Sequence, residues 1–288
     1  MKRVAVFGAR GYLGRQLIHY FTRKGVVCEG FDVPECDVVD ISFWESFDPA
    51  GYDAIVFFAG LTGTEKGFDE AVKYTQVNEF GLLNLLKKLA PLGGNAPRVV
   101  FPSSRLVYKG ASLPLDENAE KETRTVYAVN KLACEGYLFA FSNRFGIPYN
   151  VIRICVPYGS LTSAEYSYGT IGFFLKQISD GRPIALFGGG DVERTFTHVE
   201  DICTAVELLA GGERNGVYNV GGTDLSLFEA AGMIAAQNNA RVESVPWPES
   251  ALLIESGSTK FDSSALQKDF GWRARHAFAD HVREMRVS

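Results

Sequence analysis

The stretch Arg3-Val-Ala-Val-Phe7-Gly8-Ala-Arg-Gly11-Tyr-Leu-Gly14 decides the fold. A short apolar run leads straight into three glycines at a spacing of three, and a helical pattern over residues 13–24 follows. Glycines between a strand and a helix let the backbone turn tightly and approach a pyrophosphate, whose charge then sits at the helix N-terminus. The spacing is Gly-x-x-Gly-x-x-Gly rather than Gly-x-Gly-x-x-Gly, and a glycine turn without a ligand is the bland alternative. Gly8, Gly11 and Gly14, with Arg10, Tyr12 and Leu13 between them, are read as a dinucleotide-binding turn.

Further apolar runs at residues 26–31, 54–58, 98–101 and 149–154 alternate with helical patterns at 69–90 and 127–145. Strand-helix alternation predicts a parallel sheet covered on both faces, a Rossmann-type doubly wound α/β core. The near-continuous apolar strands agree with burial of both faces. After Tyr158-Gly159 the rhythm changes. A polar stretch at 160–168 leads to a helix at 170–180, a strand at 184–187, a glycine turn at 188–191, a helix at 199–209 and a strand at 216–220. Weaker helical patterns follow at 227–238, 263–270 and 278–286. The expected organisation is a dinucleotide core over 1–155, to which 191–222 returns, and a smaller C-terminal substrate lobe over 156–288.

Asp32 ends the second predicted strand, 18 residues past Gly14. A carboxylate there can accept hydrogen bonds from the adenosine ribose and repel a 2′-phosphate, which favours NAD. Arg10 pulls the other way, because a guanidinium in the turn can pair with a 2′-phosphate, so NADP stays open.

The chain has 288 residues, is 46% hydrophobic and 22% charged, and carries a net charge of −5. This is the composition of a globular protein with room for a large core. The chain has no strongly basic stretch and no apolar run of membrane-spanning length, so neither nucleic acid nor a membrane is an expected partner. The first apolar run is too short for a signal-peptide core, and the five cysteines are scattered; the expected setting is cytoplasmic with reduced thiols. The four histidines form no metal-binding spacing, and no metal is expected.

Tyr127 and Lys131 lie four residues apart, about one turn along a helix face. A free tyrosine, with a pKa of about 10, is a poor base at neutral pH; an ammonium beside it favours the phenolate. Ser103-Ser104 supplies hydroxyls for the same substrate oxygen. Alone, such a pair is more often a structural contact.

Four elements occur in order: the glycine turn, Ser103-Ser-Arg-Leu-Val-Tyr108, Tyr127-x-x-x-Lys131, and Arg194-Thr-Phe-Thr-His198-Val-Glu-Asp201. Together they resemble the extended short-chain dehydrogenase/reductase family, in particular its NAD-dependent nucleotide-sugar epimerase/dehydratase branch, over roughly residues 3–222. The resemblance implies Ser104 as the catalytic hydroxyl with Ser103 beside it, Tyr127 as acid/base, and Lys131 as its activator and a ligand of the nicotinamide ribose. It places Phe58, Ala59, Gly60 and Asn78 at the cofactor and Asp40-Ile41 at the adenine. It sets Arg194 against a sugar-nucleotide phosphate and counts Arg105 with the substrate-facing residues. His198 and Asp201 are assigned to fixing a turn. The helices at 69–90 and 127–145 would pack across a two-fold axis, implying a homodimer.

Two departures narrow the chemistry. The 4,6-dehydratases of this branch carry Asp-Glu after the catalytic hydroxyl residue, to protonate the leaving hydroxyl and remove a neighbouring proton. Here Arg105 and Leu106 stand there, which argues against dehydratase and decarboxylase. Many relatives place an asparagine where Val156 stands, so the substrate is held differently. The expected activity is a nucleotide-sugar epimerase with hydride transfer at sugar C4. A 4-ketoreductase consuming NAD(P)H and a non-catalytic dinucleotide-binding regulator are the alternatives. Phe173, Phe174 and Phe187 are considered for stacking a base, Tyr166 and Tyr168 for a lid, and Trp247 as a loop anchor.

Overall fold

The structure is a computed structural model describing residues 1–162 and 169–287, so Tyr166 and Tyr168 lie outside the described residues. Its strands are β1 (Arg3–Phe7), β2 (Val27–Phe31), β3 (Ala54–Phe57), β4 (Arg98–Ser104), β5 (Tyr149–Ile154), β6 (Val156–Tyr158), β7 (Ile184–Phe187), β8 (Glu193–His198), β9 (Gly216–Asn219), β10 (Thr223–Ser226) and β11 (Val242–Val245). Six of them form a parallel sheet in the order β2-β1-β3-β4-β5-β9.

Side chains alternate across the sheet, and both faces of β1, β3, β4 and β5 are buried, as largely apolar strands require. Val4, Val6, Val56 and Ile152 pack against α1 (Tyr12–Arg23) and α8 (Val199–Gly211). Ala5, Phe7, Phe57 and Phe101 face the opposite way, toward α5 (Gly81–Leu89) and α6 (Val126–Phe145). On that face Phe7 stacks on Phe31 at 4.9 Å and on Trp44 at 5.2 Å, which seats α2 (Ile41–Ser46) against the sheet end.

The predicted helix over 69–90 is interrupted. It consists of α3 (Lys66–Asp69), α4 (Ala71–Thr75), a π-helical turn at Gln76–Phe80, and α5. The wide turn buries two consecutive polar residues, Asn78 and Glu79. The Asn78 amide binds both main-chain groups of Leu61, accepting from its N–H at 2.7 Å and donating to its carbonyl at 3.1 Å. Glu79 accepts from Asn130 and Tyr137 of α6.

The smaller lobe holds the sheet β10-β8-β6, the pair β11-β7, α7 (Gly169–Ser179) and α9 (Leu227–Gln237) around Tyr158, Phe174, Leu186, Phe196 and Phe278. α8 and β9 belong to the main sheet's layers, and Leu266 and Trp272 of the tail pack on the same core. β6, β8, β10 and β11 are absent from the sequence expectation. β8 reads Glu-Arg-Thr-Phe-Thr-His, yet five of its six residues are buried, with Thr195 donating to Asp224 and Thr197 to the Gly221 carbonyl.

Candidate functional site

The main sheet grows to both sides of β1, with β2 on one side and β3 on the other. A crevice opens at the carboxyl ends of strands where the order reverses, which is the ligand position of open α/β sheets. Gly8 stands there with φ +80°, and a Cβ on it would lie 2.6 Å from Ala59 N. A Cβ on Gly14 would lie 2.1 Å from the Gly8 carbonyl oxygen. The turn therefore closes flat on the first turn of α1, the cradle a pyrophosphate needs. Gly14→Ala is expected to push helix and turn apart, destabilising the fold by about 1–3 kcal/mol. NAD binding should weaken by tenfold or more; titration with NAD beside a urea melt checks both.

Ser104 ends β4 and caps the short turn Arg105–Val107, its Oγ accepting from Leu106 N at 3.2 Å. Its hydroxyl proton thus remains to be offered to a substrate oxygen. Tyr127 occupies the first turn of α6, behind the cap Thr125, whose Oγ1 accepts from Ala128 N at 3.1 Å. One turn on, buried Lys131 holds its Nζ 4.4 Å from the Phe101 ring centre and 5.6 Å from that of Tyr127. Burial pulls the Lys131 pKa down to about 8, with Cys134 and Glu135 acting the other way. A helix N-terminus and a desolvated ammonium both favour negative charge at the phenol.

One cavity of about 610 Å³ joins these parts. Its wall includes Gly8, Gly11, Tyr12, Leu13, Gly14, Phe58 and Gly60 from the dinucleotide end. Ser103, Ser104, Arg105, Tyr127 and Lys131 line the other end. Cys155 and Val156 belong to it as well, as do Thr62, Gly63 and Thr170, which the sequence reading did not name. Its only charged wall residues among those described are Arg105 and Lys131.

Several expected residues stand elsewhere. Arg194, 1% exposed, gives Nη2 to Glu255 at 2.7 Å and Nη1 to the carbonyls of Glu193 and Gly257, and is absent from the cavity wall. A phosphate would have to break that buried ion pair, a loss of about 3–5 kcal/mol. Asn78 spends its amide on Leu61, so in this structure it positions the segment after β3. Asp40 caps α2 by accepting from Ser42 N at 2.9 Å, and Ile41 lies on a separate surface hollow with Trp44 and Lys88. Ala59 packs toward the core. Asp32 accepts from Arg10 N at 2.7 Å and from Val33 N, holding the glycine turn over β2. The Arg10 guanidinium pairs with Glu35 at 2.7 Å, an exposed contact that a ligand can displace. Phe174 is core; Phe173 is half exposed, and Phe187 packs on Trp247 at 5.3 Å, away from the cavity.

Behind Ser103 runs a buried ionic network. Ser103 Oγ donates to Glu135 at 2.5 Å, Arg153 binds both Glu135 oxygens, and Arg153 Nη1 reaches Tyr108 at 2.6 Å. Its sequence signal was the charged Arg153 inside a largely apolar strand.

Three histidines distant in sequence also gather. The His198 ring lies 4.3 Å from those of His276 and His281, and its Nδ1 accepts from Glu200 N at 3.3 Å. Asp201 accepts from the main chain of Arg275 and His276 and contacts His276 Nδ1 at 2.9 Å. Burial drives the His198 pKa down to about 3, with His276 and His281 pushing the same way. The unfolded chain therefore binds this proton more readily, so the contribution is complete above pH 6.5 and is lost as the pH falls from 6.5 toward 3. Acidifying from pH 7 to 5 is expected to destabilise the protein by about 2 kcal/mol through this group. Denaturant melts of wild type and His198→Asn check it, the variant being expected to show the flatter profile.

Residues 4–221 match the family model described as NAD dependent epimerase/dehydratase family. The dTDP-glucose 4,6-dehydratase of Streptomyces niveus is 30% identical over 244 residues, 82% of this chain and 69% of that one. The GDP-6-deoxy-D-mannose reductase of Pseudomonas aeruginosa is 26% identical, covering 94% of this chain and 92% of its own. In fold, the chain resembles a UDP-glucose-4-epimerase from Stenotrophomonas maltophila with bound NAD and formylated UDP-arabinopyranose. The TM-score is 0.88 at 22% identity, over 99% of this chain and 97% of that one. Ordered motifs, a cavity at the sheet's switch point and a match across most of the length lead to one assignment: this chain is an enzyme of the NAD dependent epimerase/dehydratase family.

Proposed function

We propose that the protein is a nucleotide-sugar epimerase that uses NAD and works at sugar C4. The observation that carries the reading is the single cavity whose wall joins the glycine cradle to Ser104, Tyr127 and Lys131 and bears no carboxylate among the described residues. The glycine turn and the first turn of α1 would hold the pyrophosphate, and Asp32, beside the turn, the adenosine ribose. NAD supplies a hydride acceptor and donor. Everything else falls to the chain. Ser104 donates a hydrogen bond to the sugar oxygen; Tyr127 takes that oxygen's proton as the carbon is oxidised and returns it when the alcohol is restored. Lys131 favours the phenolate form and orients the nicotinamide ribose. Dehydration needs a carboxyl acid and a base beside the hydroxyl residue, and Arg105-Leu106 supply neither.

A 4-ketoreductase is the second reading, favoured by Val156 on the cavity wall, which cannot hydrogen-bond a sugar hydroxyl. UDP-, dTDP-, GDP- and CDP-sugars, with and without a 4-keto group, are to be incubated with the purified protein, once without added cofactor and once with added NAD(P)H, and product stereochemistry read by NMR. Epimer formation with protein-retained NAD is the expected result. Turnover of keto sugars alone, with stoichiometric loss of reduced cofactor, would replace epimerase by reductase.

A homodimer is part of the same proposal. Val72 before the π-helical turn and Phe80 within it, and Val129 and Phe139 on α6, are exposed apolar side chains on two adjacent helices. Light scattering is expected to give twice the 31.6 kDa monomer mass, and Phe139→Glu to shift it to the monomer.

A further inference from the structure

Arg105 is an unbalanced cation. Four buried side-chain atoms among the described residues lack a hydrogen-bond partner, and Arg105 Nη1 is the one belonging to a residue of the cavity wall. An unpaired buried guanidinium nitrogen is costly, and nearly all such groups are satisfied in folded proteins. The neighbouring charges do not satisfy it. Arg194 lies close enough to repel it, and the nearby carboxylate, Glu255, makes no hydrogen bond to it, its Oε1 accepting from Arg194 at 2.7 Å and from Gly257 N. Burial pushes the Cys155 thiol up, so it stays neutral. Two guanidinium groups thus share one carboxylate, leaving one positive charge in excess. Burial and Arg194 lower the Arg105 pKa to about 10, so the charge persists at neutral pH.

We propose that Arg105 is the seat of a carboxylate carried by the sugar of the substrate, next to Ser104 at the reacting end of the cavity. The inference rests on the nucleotide-sugar reading above. Its position decides the class of anion. Arg105 follows Ser104 directly and shares a wall with Tyr127, Cys155 and Val156, whereas the glycine cradle for the dinucleotide's pyrophosphate lines the other end. A planar fork matches a carboxylate in two-point contact. Two consequences follow: acidic sugars are preferred over neutral ones, and the ligand-free protein is less stable for keeping the arginine.

The test uses NAD-loaded protein, wild type and Arg105→Met, with Arg105→Gln as a second neutral replacement. Calorimetry compares eight probes, the UDP-, dTDP-, GDP- and CDP-forms of glucose and of glucuronic acid, together with each nucleoside diphosphate alone. The expected result is that one glucuronate binds about tenfold or more tightly than the glucose form of the same nucleotide. That ratio should collapse to within about threefold in both variants, and their ligand-free melting temperatures should match or exceed wild type. A ratio unmoved by the substitutions overturns the proposal. So does an equal loss of affinity for the nucleoside diphosphate alone, which would make the pyrophosphate the anion, or a melting temperature lowered by several degrees in both variants. Binding of glucose and glucuronate forms alike overturns this inference only, whereas binding of none of the eight overturns the nucleotide-sugar reading itself.

Discussion

Tyr127→Phe is expected to lower kcat by about a thousandfold while leaving the melting temperature within a degree or two and NAD retention intact. Positioned acid-base groups contribute about 10²–10⁴-fold, and Tyr127 is the phenol of this cavity wall beside Lys131. The substitution removes one oxygen and no bulk, so the first turn of α6 and its Thr125 cap stay in place. The effect should fall on kcat and kcat/KM together, because the lost interaction is made as the proton moves rather than when the sugar binds. Steady-state assays on the sugar identified in the nucleotide screen check it. A variant retaining more than a tenth of wild-type kcat would remove Tyr127 from the chemistry and leave the cavity as a binding site.

The largest stability effect is expected at Glu135. Its carboxylate receives two contacts from Arg153, at 3.0 and 2.5 Å, and one from Ser103, all buried. Glu135→Leu strands the Arg153 charge in the core, a loss of about 3–5 kcal/mol, and should also loosen the β4 end that carries Ser104. Arg153→Met alone strands Glu135 and is expected to cost a similar amount. The double variant Glu135→Leu/Arg153→Met should recover much of the loss, because an apolar pair of similar volume replaces a desolvated ion pair. Urea melts of the four proteins complete the cycle; additive losses would show that the pair does not act as a unit.

The main sheet was legible because its central strands are largely apolar on both faces and its glycine turn is sterically compulsory. Arg3–Phe7 and Tyr149–Ile154 run between the expected residues, α1 is shifted by one residue at each end, and α6 starts one residue earlier than expected. Four strands of the smaller lobe were not legible. β8 carries one apolar residue, Phe196, among five polar ones and so reads like an exposed segment, but Asp224 and the Gly221 carbonyl satisfy its threonines from inside. Sequence spacing grouped Ser104, Tyr127 and Lys131, which share one cavity wall, because a helix turn and a strand end fix their places locally. Arg194 was read toward a phosphate because its buried partner, Glu255, lies 61 residues further on, a separation that carries no local signal. The three histidines were invisible for the same reason.

The π-helical turn at Gln76–Phe80 has a consequence for anyone comparing this chain with its relatives. Such a turn holds one residue more than its regular neighbour, so in an alignment it reads as a one-residue insertion within a helix. The faces of α4 and α5 are then out of phase with each other, and no single periodicity describes the whole segment. A deletion that tidied the helix would rotate one of the consecutive pair Asn78 and Glu79 away from its partners. What looks like an irregularity of length is a device of aim: it lets neighbouring letters of the sequence face the same interior.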